Sequence, residues 1–173
     1  MLRVTVILAV LAVGVLSADP KPGKLKVEIV ENVGNFLRSN TGFSATPLQK
    51  TFSKNARNGN LIRYTLGGRS KCEFTVYIIE PSYIWSPPDD RLVAEEEQQF
   101  RYPNLHDVSV QMTYPEKGQQ GAEVTYVEIL AEQSSDIGNA YVVSGGIGQR
   151  FISMIVEAKQ TNFFEFTTKV YGY

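Results

Sequence analysis

Apolar and polar residues alternate with a period of two along most of the chain, and no segment sustains the 3.6-residue repeat of a helix. The clearest case is "DVSVQMTYP", where Val108, Val110, Met112 and Tyr114 alternate with Ser109, Gln111 and Thr113. That pattern predicts a strand with one face buried. Leu25, Val27 and Ile29 alternate in the same way with Lys24, Lys26 and Glu28. "NLIRYTLGG" and "EFTVYIIEP" are dense in aromatic and β-branched residues and end in glycine or proline, so they read as a strand pair joined by "RSKC". "AEVTYVEILA", "AYVVSGG", "FISMIVEAK" and "FFEFTTKVYGY" read as four more strands, with turns at "EKGQQG", "EQSSDIGN" and "QTN". Two regions are expected to lack regular strands: Gly34 to Gly59, rich in Asn, Ser, Thr and Gly, and "SYIWSPPDDRLVAEEEQQFRYPN", a long connection with at most a short helical turn. The expected fold is all-β: an antiparallel β-sandwich or barrel-like arrangement in a single β-rich domain over residues 19–173.

The first 18 residues stand outside this pattern. Arg3 precedes an apolar run from Val4 to Leu16 and then small residues, the layout of a secretory signal peptide cleaved after Ala18 or Ser17. The run is too short to span a bilayer as a helix, and no membrane association is expected. The reading implies a secreted, extracellular protein. The chain carries 17 basic and 18 acidic residues, a formal net charge of −1, and losing Arg3 with the leader would make it −2. Such a balance offers little attraction to nucleic acid, and no direct nucleic-acid contact is expected. Cys72 is the single cysteine, so no disulfide can form within the chain, and a buried strand cysteine is favoured over one pairing between chains.

Candidate chemistry is sparse. "SGGIGQRF" places Gly145, Gly146 and Gly148 between two strand-like segments. A phosphate cradle needs glycines opening into a helix, whose N-terminus supplies the amide donors. The segment "FISMIVEA" that succeeds them is β-branched and aromatic, so these glycines are expected to make a tight turn at positive φ. His106 is the only histidine and has no accompanying nucleophile motif, and a Cys72–His106 thiolate pair is disfavoured. Glu95, Glu96 and Glu97, with Asp89 and Asp90, do not follow a calcium-loop spacing and read as a solvated face. Neither a metal nor a cofactor is implied. Tyr83 and Trp85 lie on the proline-stiffened "EPSYIWSPPDD" and form a candidate binding loop, with burial of Trp85 under that loop as the plainer alternative. The expectation from the residues is a non-enzymatic protein that binds another protein or a small ligand.

The C-terminal stretch "GNAYVVSGGIGQRFISMIVEAKQTNFFEFTTKVYGY", with "VQMTYP" and "AEVTYVEIL" upstream, resembles the insect family named after multiprotein bridging factor 2, a transcription activator. The features that carry it are Tyr114 and Pro115 ending a strand, a turn led by Gly121, the hinge of Gly145, Gly146 and Gly148, and Tyr171 and Gly172 ending the last strand. "NARNGNLIRY" resembles an upstream family segment, with Asn60 where an aspartate would stand and Asn58 before the glycine. The resemblance implies a small β-rich domain and a coactivator that bridges a DNA-bound factor to the general transcription machinery through a bridging factor and general transcription factor subunits. It implies a nuclear or cytoplasmic protein, the alternative to the extracellular protein that residues 1–18 suggest.

Overall fold

The structure is a computed structural model that describes residues 22–30, 45–55, 59–67 and 90–173. Residues 1–18, Cys72, Tyr83, Trp85, Asp89 and the "EFTVYIIEP" segment lie outside the described residues. The described chain forms eight strands and no helix: β1 (Lys26–Ile29), β2 (Thr46–Pro47), β3 (Gln49–Asn55), β4 (Gly59–Gly67), β5 (Arg91–Tyr114), β6 (Val124–Gln133), β7 (Gly138–Gly145) and β8 (Ile152–Gly172). They make one antiparallel sheet in the order β1-β5-β8-β6-β4-β3, with β7 also on β8 and β2 on β7. The all-β antiparallel expectation holds, and the sheet is not closed into a barrel.

The long strands β5 and β8 determine the architecture. At 24 and 21 residues they are several times the usual strand length and cannot stay straight within so small a fold. Both turn a corner at the same level. In β5 the register slips between Arg101 and His106 and again between His106 and Val108. In β8 the corner is Gln160, at φ 51°, whose N–H donates to Asp107 Oδ1 at 2.8 Å. The sheet therefore doubles over and its halves face each other. Thr168 Oγ1, in the second half of β8, donates to Met112 Sδ in the second half of β5 at 3.0 Å. Gly23 bridges Ala94 in the first half of β5, while nearby Lys26 pairs with Thr113 in the second.

One layer thus contains β3, β4, β6 and the facing halves of β8 and β5; the other contains β1, the remaining halves of β5 and β8, β7 and β2. Along the edge formed by β2 and β3, buried Leu48 carries the chain from β2 in the second layer to β3 in the first, its N–H donating to the Ala140 carbonyl at 3.0 Å. Between the layers lie Ile62, Tyr64, Ile129, Phe164, Met112 and Met154, all fully buried. Phe164 stacks on Phe100 at 6.3 Å between centroids and sits 5.4 Å from Phe166.

Four sequence expectations change. The acidic run is strand: Ala94, Glu96, Gln98 and Phe100 fall on one face and Glu95, Glu97 and Gln99 on the other, and the ladder to β8 overrides the preference of Glu and Gln for helix. Within the Gly34–Gly59 region, β2 and β3 are strands; Thr51, Phe52 and Ser53 of β3 are all exposed, so the strand shows no alternation. "FISMIVEAK" and "FFEFTTKVYGY" are one strand, because β8 runs on through the Gln160 corner and pairs with β5 on both sides of it. In β1 the alternation stops at Ile29, which is 63% exposed at the sheet edge.

Candidate interaction surface

The residues that carry the family resemblance meet at one pole, where the β5–β6 connection, the β7–β8 loop and the chain end come together. The Tyr114–Pro115 peptide is cis, and the Tyr114 hydroxyl accepts from the Ala122 N–H at 2.8 Å. Gly145 ends β7 and Gly146 and Gly148 lie in the β7–β8 connection, at φ 71°, 148° and 76°. The Gly148 N–H donates to the Val124 carbonyl at 2.7 Å, and the Val124 N–H donates to the Gln149 carbonyl at 2.9 Å, so this loop is stitched to the start of β6. Gly121 backs onto the Arg150 carbonyl and Gly172 onto the Glu123 carbonyl, each too closely for a Cβ. Tyr171 tilts against Tyr126 at 5.8 Å. The segment after the glycines is β8, so no helix N-terminus faces them. The geometry of these residues is that of a backbone knot joining both layers.

A surface with binding character lies on the outward face of the first layer. Strand alternation puts Glu95, Glu97, Gln99 and Arg101 of β5 there, beside Lys169, Thr167, Glu165 and Phe163 of β8, Glu128, Leu130 and Glu132 of β6, and Arg63 of β4. Two cations are engaged: Lys169 with Glu95 at 3.5 Å and Arg63 with Glu128 at 3.2 Å. Near the corner, Glu132 and Glu165 are direct partners across β6 and β8, a like-charge pairing that sheets usually avoid. Gln99 Nε2 donates to Glu165 Oε2 at 2.9 Å, and the Arg101 guanidinium sits 5.9 Å from the centre of the Phe163 ring. Arg101, Glu132, Ser134, Asn162, Phe163 and Glu165 line an open cleft of about 460 Å³. Its base is held by Ser134, whose N–H donates to Thr161 Oγ1 at 3.1 Å and whose hydroxyl accepts from the Asn162 N–H at 2.9 Å. Such a surface can pair with charged and hydrogen-bonding groups of a protein. Its residues are far apart in sequence, and only the strand parity of "VEILAEQ" and "NFFEFTTK" hints that Glu132, Phe163 and Glu165 share a face.

The remaining candidates are dispersed. His106 lies exposed at the corner, stacked on Tyr102 at 4.7 Å. Glu95 and Glu97 point outward, whereas Glu96 turns to the opposite face and accepts from Gln98 Nε2 at 3.1 Å. Asp90 accepts from Thr125 Oγ1. Among the described residues, no three His, Cys, Asp or Glu side chains converge as a metal set. Tyr83 and Trp85, the candidate binding loop, lie outside the described residues.

The second layer holds a carboxylate that sequence reading missed. Glu157, between Ser109 and Asn139 in the ladder, is only 9% exposed. Burial raises its pKa above the ordinary carboxylate value, Lys159 partly offsets that, and Asp107 adds to it. The folded state therefore binds more protons than the unfolded chain between the ordinary and the raised pKa, and stability falls as pH rises through that window. Glu157→Gln is expected to raise the melting temperature by a few degrees at pH 8 and to lose that gain below the ordinary carboxylate pKa; thermal melts at pH 8 and pH 4 check it. An equal gain at both pH values would assign the effect to something other than ionisation.

A family model described as transcription activator MBF2 matches residues 86–172, 87 of the 173 residues, and so spans β5 to β8, the pole knot and most of the cleft. Neither a curated protein nor a solved structure matches the chain. The match corrects the expectation of a secreted protein with a cleaved signal peptide that binds its ligand in an extracellular fluid. A transcription activator works where promoters and their protein machinery are, which points to the nucleus or cytoplasm, the alternative location.

Proposed function

The chain belongs to the transcription activator MBF2 family, and from that membership we propose that it is a transcriptional coactivator, a non-enzymatic adaptor bridging a DNA-bound factor to the general transcription machinery. The family match over residues 86–172 is the observation that carries this reading. Its partners are proteins: a bridging factor on one side and general transcription factor subunits on the other. The near-neutral charge supports protein contact over binding to a phosphate backbone, which requires a basic footprint. The mixed-charge outward face of the first layer, with the cleft between Arg101, Glu132 and Glu165, is the surface assigned to one partner. Charges arranged in this way steer encounter and select partners more than they add affinity.

The test is a reporter gene in insect cells driven by a DNA-bound activator, with the full chain co-expressed and located by fractionation. The expected result is a several-fold rise in reporter output with the chain in the nuclear fraction. Glu132→Lys with Glu165→Lys is expected to weaken partner binding by about tenfold, roughly 1.4 kcal/mol of lost charge complementarity, and to remove most of that rise. An unchanged reporter, with the chain abundant in nuclei, defeats the coactivator reading.

A further inference from the structure

The two layers are joined by continuous strands at the corner. Beside the β8 corner the β6–β7 connection also crosses from one layer to the other, with the Lys159 N–H donating to the Ile137 carbonyl at 2.9 Å. There Tyr64 of β4 and Gln133 of β6, in the first layer, meet Gly138 at the start of β7 in the second. Tyr64 and Gln133 are both fully buried, and Tyr64 Oη and Gln133 Oε1 each lack a hydrogen-bond partner. Leaving two such oxygens unsatisfied in one place is costly, and folded proteins avoid it.

Their orientation is constrained. Gln133 Nε2 donates to Ser135 Oγ at 3.1 Å and to the Ile137 carbonyl at 3.0 Å, which turns Oε1 toward Gly138. The point at which a side chain on Gly138 would begin lies 2.8 Å from Tyr64 Oη, 3.2 Å from Gln133 Oε1 and 2.7 Å from the Glu157 carbonyl oxygen. Lys50 Nζ reaches across from the edge strand to the Gly138 carbonyl at 2.7 Å. One donor and two acceptors thus converge beside a residue with no side chain. Burial and the Glu157 carboxylate both raise the Tyr64 pKa, so its hydroxyl remains a donor throughout the neutral range.

We propose that one buried water molecule is bound between Tyr64, Gln133 and Gly138 and serves as a structural part of the seam between the layers. It accepts the Tyr64 O–H, donates to Gln133 Oε1 and donates its second hydrogen to the Glu157 carbonyl, the set of two to four partners that buried waters use. The site is independent of the partner-binding reading.

Oxygen-17 and deuterium relaxation dispersion on the full chain counts its long-lived internal waters, and Tyr64→Phe is the first variant. The expected result is one long-lived water fewer than in the unmodified protein, with the melting temperature lower by about 2–4 °C. Gln133→Met, which keeps side-chain length but removes the acceptor, is expected to lose the same water. If Tyr64→Phe melts at or above the unmodified protein, the hydroxyl was an orphan and the proposal is wrong. A lower melting temperature with an unchanged water count in both variants also overturns it, because the two side chains then contribute only packing.

Discussion

Phe164→Ala is expected to lower the unfolding free energy by about 3–5 kcal/mol, the range for emptying an aromatic site in a closed core. Phe164 is fully buried on the inner face of β8, stacked against Phe100 of β5 and close to Phe166. All three rings stand on strands held rigid by their ladders, so the site has little freedom to collapse when the ring is removed. Against a total stability of about 5–15 kcal/mol for a typical domain, a loss of this size brings the protein close to the unfolding threshold. Urea denaturation monitored by circular dichroism checks it: the midpoint should fall sharply with little change in slope. A loss under about 1 kcal/mol would be the cost of a surface substitution and would mean that the layers do not close over this ring.

Gly145→Ala is the second large effect, and Gly148→Ala is its control. Both glycines have positive φ, near 71° and 76°, where an alanine costs about 1–2 kcal/mol in backbone energy. The two differ in their surroundings. A Cβ on Gly145 would press into the backbone carbonyl and ring of Phe151, whereas a Cβ on Gly148 meets nothing within 4 Å. Backbone cannot move aside as a flexible side chain can, so the clash adds about 1–3 kcal/mol at Gly145 alone. The melting temperature should therefore fall about 1.5 to 4 times as far for Gly145→Ala as for Gly148→Ala, at roughly 2–4 °C per kcal/mol for a chain of this size. Equal losses would leave positive φ as the whole explanation, and no loss at either position would remove the turn argument itself. The Gly145 backbone also binds β7 to β8 through its pairing with Ile152, so proteolysis at the β7–β8 loop should rise in the same variant.

The same contrast between local pattern and spatial arrangement separates what could be read from the chain and what could not. The strand of "DVSVQMTYP" is legible because Val108, Val110, Met112 and Tyr114 all face one core, and their burial in the structure follows the alternation residue by residue. "AEEEQQF" misleads because long polar side chains suit both helix and solvent-facing strand, and only pairing to β8 decides between them. The charged cleft was hidden for a different reason. Glu132 and Glu165 become neighbours through the β6–β8 register, and a register is a property of two strands that neither one specifies alone.

Local composition and period determined that this protein is built of strands, where most of them lie, which of their faces are apolar, and that the order of Tyr114, Pro115, Gly145, Gly146, Gly148, Tyr171 and Gly172 resembles one family. Those properties belong to short windows of chain, where side-chain alternation and glycine's backbone freedom act within a few residues. Tertiary structure alone decided that β5 and β8 run through a shared corner, that the sheet doubles into two layers, that Glu157 and Tyr64 are buried, and that the oxygens of Tyr64 and Gln133 converge on Gly138. Each of these depends on contacts between residues distant in sequence, which form only when burial of the whole core outweighs the entropy of closing the loops between them.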